Sequence, residues 1–172
     1  MHVPRQFRLM TLLGTIAVAA LAAGGARVWY EVRIAPQRAD EAALAGREMR
    51  GVVARRSEAS AWSGGGRRAV HLWFDEAEDF DAAASRLGEL SAVASVQALG
   101  RQILPHAAAI QRGESDAVID AWRRHPALRE VLIDASVRGA PLGEVVELYD
   151  RDDLAMLQAA LPGVKIVWME VH

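Results

Sequence analysis

Four six-residue segments with the same apolar pattern constrain the fold of this chain more than any other feature. Each segment has apolar residues at its first, fourth and sixth positions, as in Ala69, Leu72 and Phe74 of the first copy. This pattern in a short segment is typical of a half-buried β-strand. The starts of the copies lie 24, 35 and 36 residues apart, which indicates a repeated structural unit. The copies span residues 69–74, 93–98, 128–133 and 164–169.

A helix is predicted between each pair of these strands. Apolar residues recur after each strand at three- or four-residue steps, which is the spacing of a helix face packed on a sheet. Strands that alternate with helices predict parallel pairing, and therefore an α/β fold with a small parallel-sheet βα repeat domain over 67–172. The longer units are expected to place loops or short additional helices at 104–116 and 136–150. The spaced residues are Phe80, Ala84, Leu87 and Leu90, then Val118, Ala121 and Trp122, then Leu154, Leu157 and Leu161.

The N-terminal region predicts a transmembrane helix at 9–30. A basic segment, 1–8, precedes 18 residues without a charge, which is close to the length that crosses a hydrocarbon core of about 30 Å. After this stretch come a cation that can extend its charge into the headgroup layer and two aromatic rings of the kind that lie at that layer. These three residues are Arg27, Trp29 and Tyr30.

Short sequence motifs in and around this segment bear on whether it is cleaved and on its orientation in the membrane. Ala20-Leu21-Ala22 has the small-x-small pattern of a processing site, so a cleaved signal peptide is the alternative to an anchor. Arg5 and Arg8 precede the span and favour an N-terminus on the inside, although further arginines follow it. The prediction is a single-pass membrane protein whose repeat domain is extracytoplasmic.

A juxtamembrane helix and a glycine-rich linker are predicted between the span and the repeats, over 31–66. Pro36 should end the first helix, and Asp40 could cap a second helix that continues to about residue 60. Ser63-Gly64-Gly65-Gly66 is typical of a linker. The arginines of this region favour a solvated stalk, with a helix lying on anionic lipid as the alternative.

Composition excludes several classes of function. The formal net charge of -2 gives no electrostatic basis for nucleic-acid binding. Cysteine is absent, which excludes disulfides, thiolate metal sites and thiol catalysis. No cofactor is expected.

The two ends of the chain resemble short, membrane-anchored bacterial leucine-rich-repeat proteins. The resemblance rests on Asp153-Leu154-Ala155-Met156-Leu157-Gln158-Ala159-Ala160-Leu161-Pro162-Gly163-Val164-Lys165-Ile166-Val167-Trp168 and on Phe7-Arg8-Leu9-Met10-Thr11-Leu12-Leu13. It implies a repeat array that binds a protein or a peptide through its exposed strand face. The chain contains no Asn at the turn positions, so a compact α/β domain stays open as the alternative.

The strand pattern places one residue per copy on the face away from the core. Because neighbouring strands lie about 4.8 Å apart, these residues should form a lateral row that contacts a partner. Burial of this face by the longer loops is the alternative, and a second row should lie two residues further on. The first row is Trp73, Gln97, Leu132 and Trp168, and the second is Asp75, Leu99, Asp134 and Glu170.

Two other hypotheses come from different classes of protein. His71 and the acidic run from Asp75 to Asp81 could form a metal-binding or hydrolytic site, but no metal-ligand spacing or nucleophile motif accompanies them, so no enzyme is expected. Self-association through the edge of the final strand is the other hypothesis. The sequence favours a membrane-tethered interaction or scaffold module.

Overall fold

Five strands form one sheet in which the spatial order of the strands is their order in the chain. The computed structural model describes residues 5–46, 49–57, 67–74, 79–134 and 151–169. The first strand pairs with the second antiparallel, and the other three pairs are parallel. The prediction that the four similar segments are adjacent and parallel is confirmed, and a fifth strand joins them. The strands are β1 Val52–Arg56, β2 Ala69–Phe74, β3 Ser95–Leu99, β4 Glu130–Asp134 and β5 Lys165–Met169.

Helices connect the parallel strands. The three predicted spacings fall on α3 (Phe80–Ser85), α5 (Ala117–Arg124) and α6 (Arg151–Ala160), and the insertion after β3 is a helix, α4 (Gly100–Gln111), rather than a loop. Gly113, with φ of 81°, lies in the turn after α4, where the left-handed conformation favours glycine. The predicted insertion at 136–150 lies outside the described residues. The helices are α1 Arg5–Trp29, α2 Ala35–Ala45, α3 Phe80–Ser85, α4 Gly100–Gln111, α5 Ala117–Arg124 and α6 Arg151–Ala160, with a 3-10 turn at Arg86–Glu89.

The hydrophobic core lies between one face of the sheet and helices α3 to α6. It is built from alternate strand residues, such as Leu72 and Val96, and from the apolar residues of the helices. Trp122 of α5 is fully buried, lies 6.3 Å from the Phe74 ring and donates its indole N–H to the Ala84 carbonyl at 3.1 Å. The periodicity therefore identified the core face of β2, β3 and β4 and most of the core-facing helix residues.

The predicted end of the first helix at Pro36 is wrong. A five-residue π-helical turn, Tyr30–Ile34, joins α1 to α2, and Ala35 donates its N–H to the Tyr30 carbonyl. Pro36 has no N–H to donate to the Val32 carbonyl, which is four residues earlier. Arg68, which precedes β2, donates a hydrogen bond to this carbonyl instead, with its Nη2 at 2.9 Å from the Val32 oxygen. The helix therefore continues past the proline.

The continuous helix is long enough to cross a membrane. One helix among the described residues, Leu9–Ala45, has the length and the apolar composition of a membrane span, and its apolar window is not buried against the rest of the protein. The exposed side chains at the end of this window include Trp29 and Tyr30. The structure thus provides a candidate anchor.

Strand β1 replaces the second half of the predicted juxtamembrane helix. The prediction of a helix from residue 41 to about residue 60 is wrong beyond Ala45, because Val52–Arg56 pairs with β2. Asp40 is fully buried within α2 and accepts hydrogen bonds from the Ala69 and Ser91 backbone N–H groups at 3.0 and 2.7 Å. The juxtamembrane segment is therefore packed into the domain. The predicted linker at 63–66 lies outside the described residues.

Candidate functional site

The side of the sheet opposite the core, called here the second face, carries an ordered set of side chains. Its strand residues alternate with those of the core, and its apolar members belong to no part of the hydrophobic cluster that the described helices form. The strand registers place its residues in rows. The central row is Val53, Trp73, Gln97, Leu132 and Val167, and the polar row beside it is Arg55, His71, Ser95, Glu130 and Lys165.

Three of the four residues in the predicted first row are neighbours, and the fourth is misplaced. Trp73, Gln97 and Leu132 pair directly across β2, β3 and β4. Trp168 pairs with Ile133 and packs against the core, so it lies on the opposite face. Its predicted place is taken by Val167. Residues that pair between β4 and β5 are 35 positions apart in the chain, whereas the apolar pattern indicates 36.

The predicted second row is described only in part. Leu99 and Asp134 pair across β3 and β4, and Met169 follows on β5 in the place expected for Glu170. Leu99 and Asp134 are both buried. Asp75 and Glu170 lie outside the described residues. The two predicted residues of this row that the structure describes are therefore not accessible to a partner.

The indole of Trp73 is a polar group within the central row. The side chain is half-buried, and its Nε1–H is buried without a hydrogen-bond acceptor among the residues that the structure describes. A buried N–H without an acceptor costs roughly 1–3 kcal/mol.

The polar row provides hydrogen bonds and charge. His71 Nδ1 lies 2.6 Å from the Ser95 hydroxyl, and Lys165 Nζ lies 2.9 Å from Glu130 Oε1. Burial lowers the pKa of His71 and outweighs the hydrogen bond with Gln97, which raises it; the Arg55 cation lowers the pKa further, and Glu130 has a small raising effect. The neutral imidazole is thus favoured on this face.

A second polar cluster, which the sequence did not predict, joins three helices on the core side. His106 of α4 lies between two carboxylates, with Nδ1 at 2.8 Å from Asp116 Oδ2 and Nε2 at 3.1 Å from Asp81 Oδ1. Each ring nitrogen of His106 thus faces a carboxylate oxygen of a different helix segment. His106 therefore acts as a clamp between α3, α4 and α5.

The carboxylate of Asp116 is held in its ionised form by this clamp and by a helix cap. Burial alone would raise its pKa, but the N–H of Ile119, the His106 ring and the N–H of Val118 together lower the pKa below its usual range. Asp116 also caps α5, with Oδ1 at 2.9 Å from the Ile119 nitrogen. The shallow cleft beside the clamp measures about 390 Å³.

The metal-binding alternative gains no support from the described part of the chain. Within it, no group of three or more His, Asp or Glu side chains has the arrangement that holds a metal ion. Asp79 caps α3, and Asp81 contacts His106 rather than His71. Residues 75–78 of the acidic run lie outside the described ranges. His71 and Asp81 thus belong to different sites.

The fold defines the class of protein only broadly. It is a mixed α/β protein with a mostly parallel five-stranded sheet and an N-terminal helix that could span a membrane. Comparisons with protein-family models, with curated proteins and with solved structures found no match. The second face and the candidate anchor are therefore the features of the molecule that bear on its function.

Proposed function

We propose that this protein is a membrane-tethered interaction module of leucine-rich-repeat type, which binds a protein or a peptide through the second face. The observation that carries the proposal is the central row. It aligns Trp73, Leu132 and Val167 on a face that contributes nothing to the core formed by the described helices. Apolar side chains gathered on such a face are typical of a contact surface.

The strand order supports the resemblance to leucine-rich repeats. Strands β2 to β5 follow one another in chain order, all parallel, and each crossover carries its helices on the core side. A solenoid of repeats stacks its units in this way and binds on an extended surface. The antiparallel strand β1 closes one end of the array.

The chemistry of the second face indicates an extended segment as the ligand. The central row crosses the sheet over four strand spacings, about 19 Å, which matches about six residues of extended chain. The polar row beside it offers the exposed cation Arg55 at one end, whereas Lys165 at the other end is paired with Glu130. A segment with apolar side chains and at least one carboxylate fits both rows.

Photo-crosslinking of the full-length protein in its native membrane tests the proposal. A benzoylphenylalanine at Leu132 should form a crosslink to a second protein, and one at Met156 on α6 should not. Trp73→Ala should reduce the crosslink at position 132 several-fold, because it removes the largest side chain of the central row. Trp168→Ala serves as the matched control, because Trp168 lies on the core face.

Equal crosslinking at positions 132 and 156, or equal loss with both tryptophan variants, would contradict the proposal. A crosslinked product at twice the mass of the chain would instead support self-association. That candidate is favoured by one observation, since no described strand pairs with the outer edge of β5.

A further inference from the structure

The junction between the candidate span and the domain carries a set of arginines at a defined depth. The run from Leu9 to Tyr30 measures about 33 Å at 1.5 Å per residue, close to the hydrocarbon thickness of about 30 Å. The exposed rings of Trp29 and Tyr30 then lie at the boundary of the headgroup layer. Residues that follow within one or two turns lie among the headgroups.

Arg68 fixes the domain at the same depth. Its Nη2 lies 2.9 Å from the Val32 carbonyl oxygen, and Val32 is only about 3 Å further along the helix axis than Tyr30. The segment that leads into β2 is thereby held at the end of the span. Burial of Ile34 and the hydrogen bonds of Asp40 hold the same helix against the domain, so the domain cannot swing away from the bilayer.

The charges around this junction are mainly positive. Arg27 is paired with Glu31 at 2.8 Å, so these two side chains largely cancel. Arg33 and Arg38 are exposed, and neither forms an ion pair with any residue that the structure describes; the Arg38 guanidinium lies 6.0 Å from the centre of the Tyr30 ring. The contact of Arg68 with the Val32 carbonyl oxygen does not neutralise its positive charge. Nearby Asp40 is fully buried within the protein.

We infer that Arg33, Arg38 and Arg68 form a binding collar for the phosphate groups of anionic phospholipids. Guanidinium groups bind phosphate oxygens through paired N–H donors, and a cation on an aromatic ring at the membrane boundary is already oriented for such a contact. The inference rests on the membrane anchor and is independent of the second face.

Native mass spectrometry of the full chain, purified in a neutral detergent, tests the collar. Phosphatidylglycerol and phosphatidylcholine with identical acyl chains are added in equal amounts, and the lipids retained are counted. Each cation near an anionic surface changes the affinity roughly fivefold, so Arg33→Gln with Arg38→Gln should lower phosphatidylglycerol retention by about thirtyfold. Retention of phosphatidylcholine should not change.

The matched control is Arg101→Gln with Arg124→Gln, which removes the same charge from exposed positions on α4 and α5. This pair should retain phosphatidylglycerol like the wild type. Equal retention of both lipids by the wild type, or equal loss in both double variants, would overturn the inference. Competition by soluble glycerophosphate at the same concentration would also overturn it, because the ligand would then be a free phosphate.

A second measurement checks the depth of the domain without changing the collar. Because the chain has no cysteine, a single label can be introduced with Arg67→Cys or with Arg124→Cys. In phosphatidylglycerol nanodiscs that contain a headgroup-labelled quencher, a fluorophore at position 67 should be quenched several times more strongly than one at position 124. Equal quenching at both positions would contradict the seating of the domain on the bilayer.

Discussion

Asp40 links the juxtamembrane helix to two separate parts of the repeat domain. Its carboxylate is fully buried and accepts hydrogen bonds from the backbone of Ala69 and from both the backbone and the hydroxyl of Ser91. Asp40→Ala should lower the free energy of unfolding by about 3 kcal/mol, because buried N–H groups lose a charged acceptor. Urea unfolding of the full chain in detergent micelles, followed by circular dichroism, measures this loss.

Asp40→Asn provides the control for that experiment. The amide keeps one carbonyl acceptor and nearly the same volume, so its loss should be clearly smaller than that of the alanine variant. Equal losses for the two variants would contradict this expectation, because the asparagine keeps the volume of the side chain and one of its acceptors.

Asp116 should make stability depend on acidic pH. Its pKa in the folded protein is lowered, so the stabilisation that it provides is fully present above its unfolded pKa of about 3.9 and is lost as the pH falls through the folded pKa. Asp116→Asn removes this dependence and keeps a good helix cap. The difference in unfolding free energy between wild type and variant, measured from pH 6 down to pH 2, should therefore shrink with acid. A constant difference would refute the role of the charge.

The partners of His106 could not be predicted from the residues of the sequence alone. Asp81 and His106 are 25 residues apart, and they meet only because α3 and α4 pack on the same face of the sheet. The capping preference of Asp before an apolar helix could have identified Asp116 as the start of α5. Nothing in the local pattern could have assigned its partner.

At the scale of elements, the π-helical turn and Arg68 should be energetically coupled. Pro36→Ala restores a backbone N–H that can serve the Val32 carbonyl, so the guanidinium of Arg68 becomes less necessary. Arg68→Ala should therefore cost about 1 kcal/mol less in the Pro36→Ala background than in the wild type. A double-mutant cycle of unfolding free energies measures this coupling, and additive losses would contradict it.

The sequence pattern was wrong about strand β1, where it predicted a helix, and about the face of β5 on which Trp168 lies. Residues 52–56 follow a helix and carry two arginines, so local preference gave no strong signal for a strand, whereas pairing with β2 selects the extended form. Val164 resembles Leu128 in the sequence pattern and is buried like it. The two residues are 36 positions apart, yet paired residues of β4 and β5, such as Glu130 and Lys165, are 35 positions apart. A shift of one residue moves a side chain to the other face.

At the scale of the whole molecule, the smallest unit that folds should include α2 and β1. A chain that begins at residue 35 keeps Asp40, the buried Met49 and the β1–β2 pair, and it should unfold cooperatively in solution. A chain that begins at residue 67, the predicted domain boundary, loses all three and exposes one side of β2. Thermal unfolding by circular dichroism should show a sharp transition only for the first chain. Equally sharp transitions would support the predicted boundary.

The architecture was largely predictable, because apolar spacing determines which faces are buried. The parallel order of β2 to β5 and the helices α3, α5 and α6 follow from that spacing. The connection between the span and the sheet was not predictable, since it depends on Asp40 and Arg68 reaching partners far away in the chain. For the candidate site, the prediction was correct for Trp73, Gln97 and Leu132 and wrong on the last strand, where Val167 takes the place of Trp168.

The order of the strands has a consequence for biosynthesis. Every strand pairs only with those made just before and just after it, and the first one lies beside the candidate anchor. Each newly synthesised unit can therefore dock on a completed neighbour while the ribosome is still translating the next, starting from the lipid end. Once β3 and the loop before it have satisfied Asp40, each later unit adds to a completed neighbour, so nascent intermediates expose only one growing sheet edge at a time.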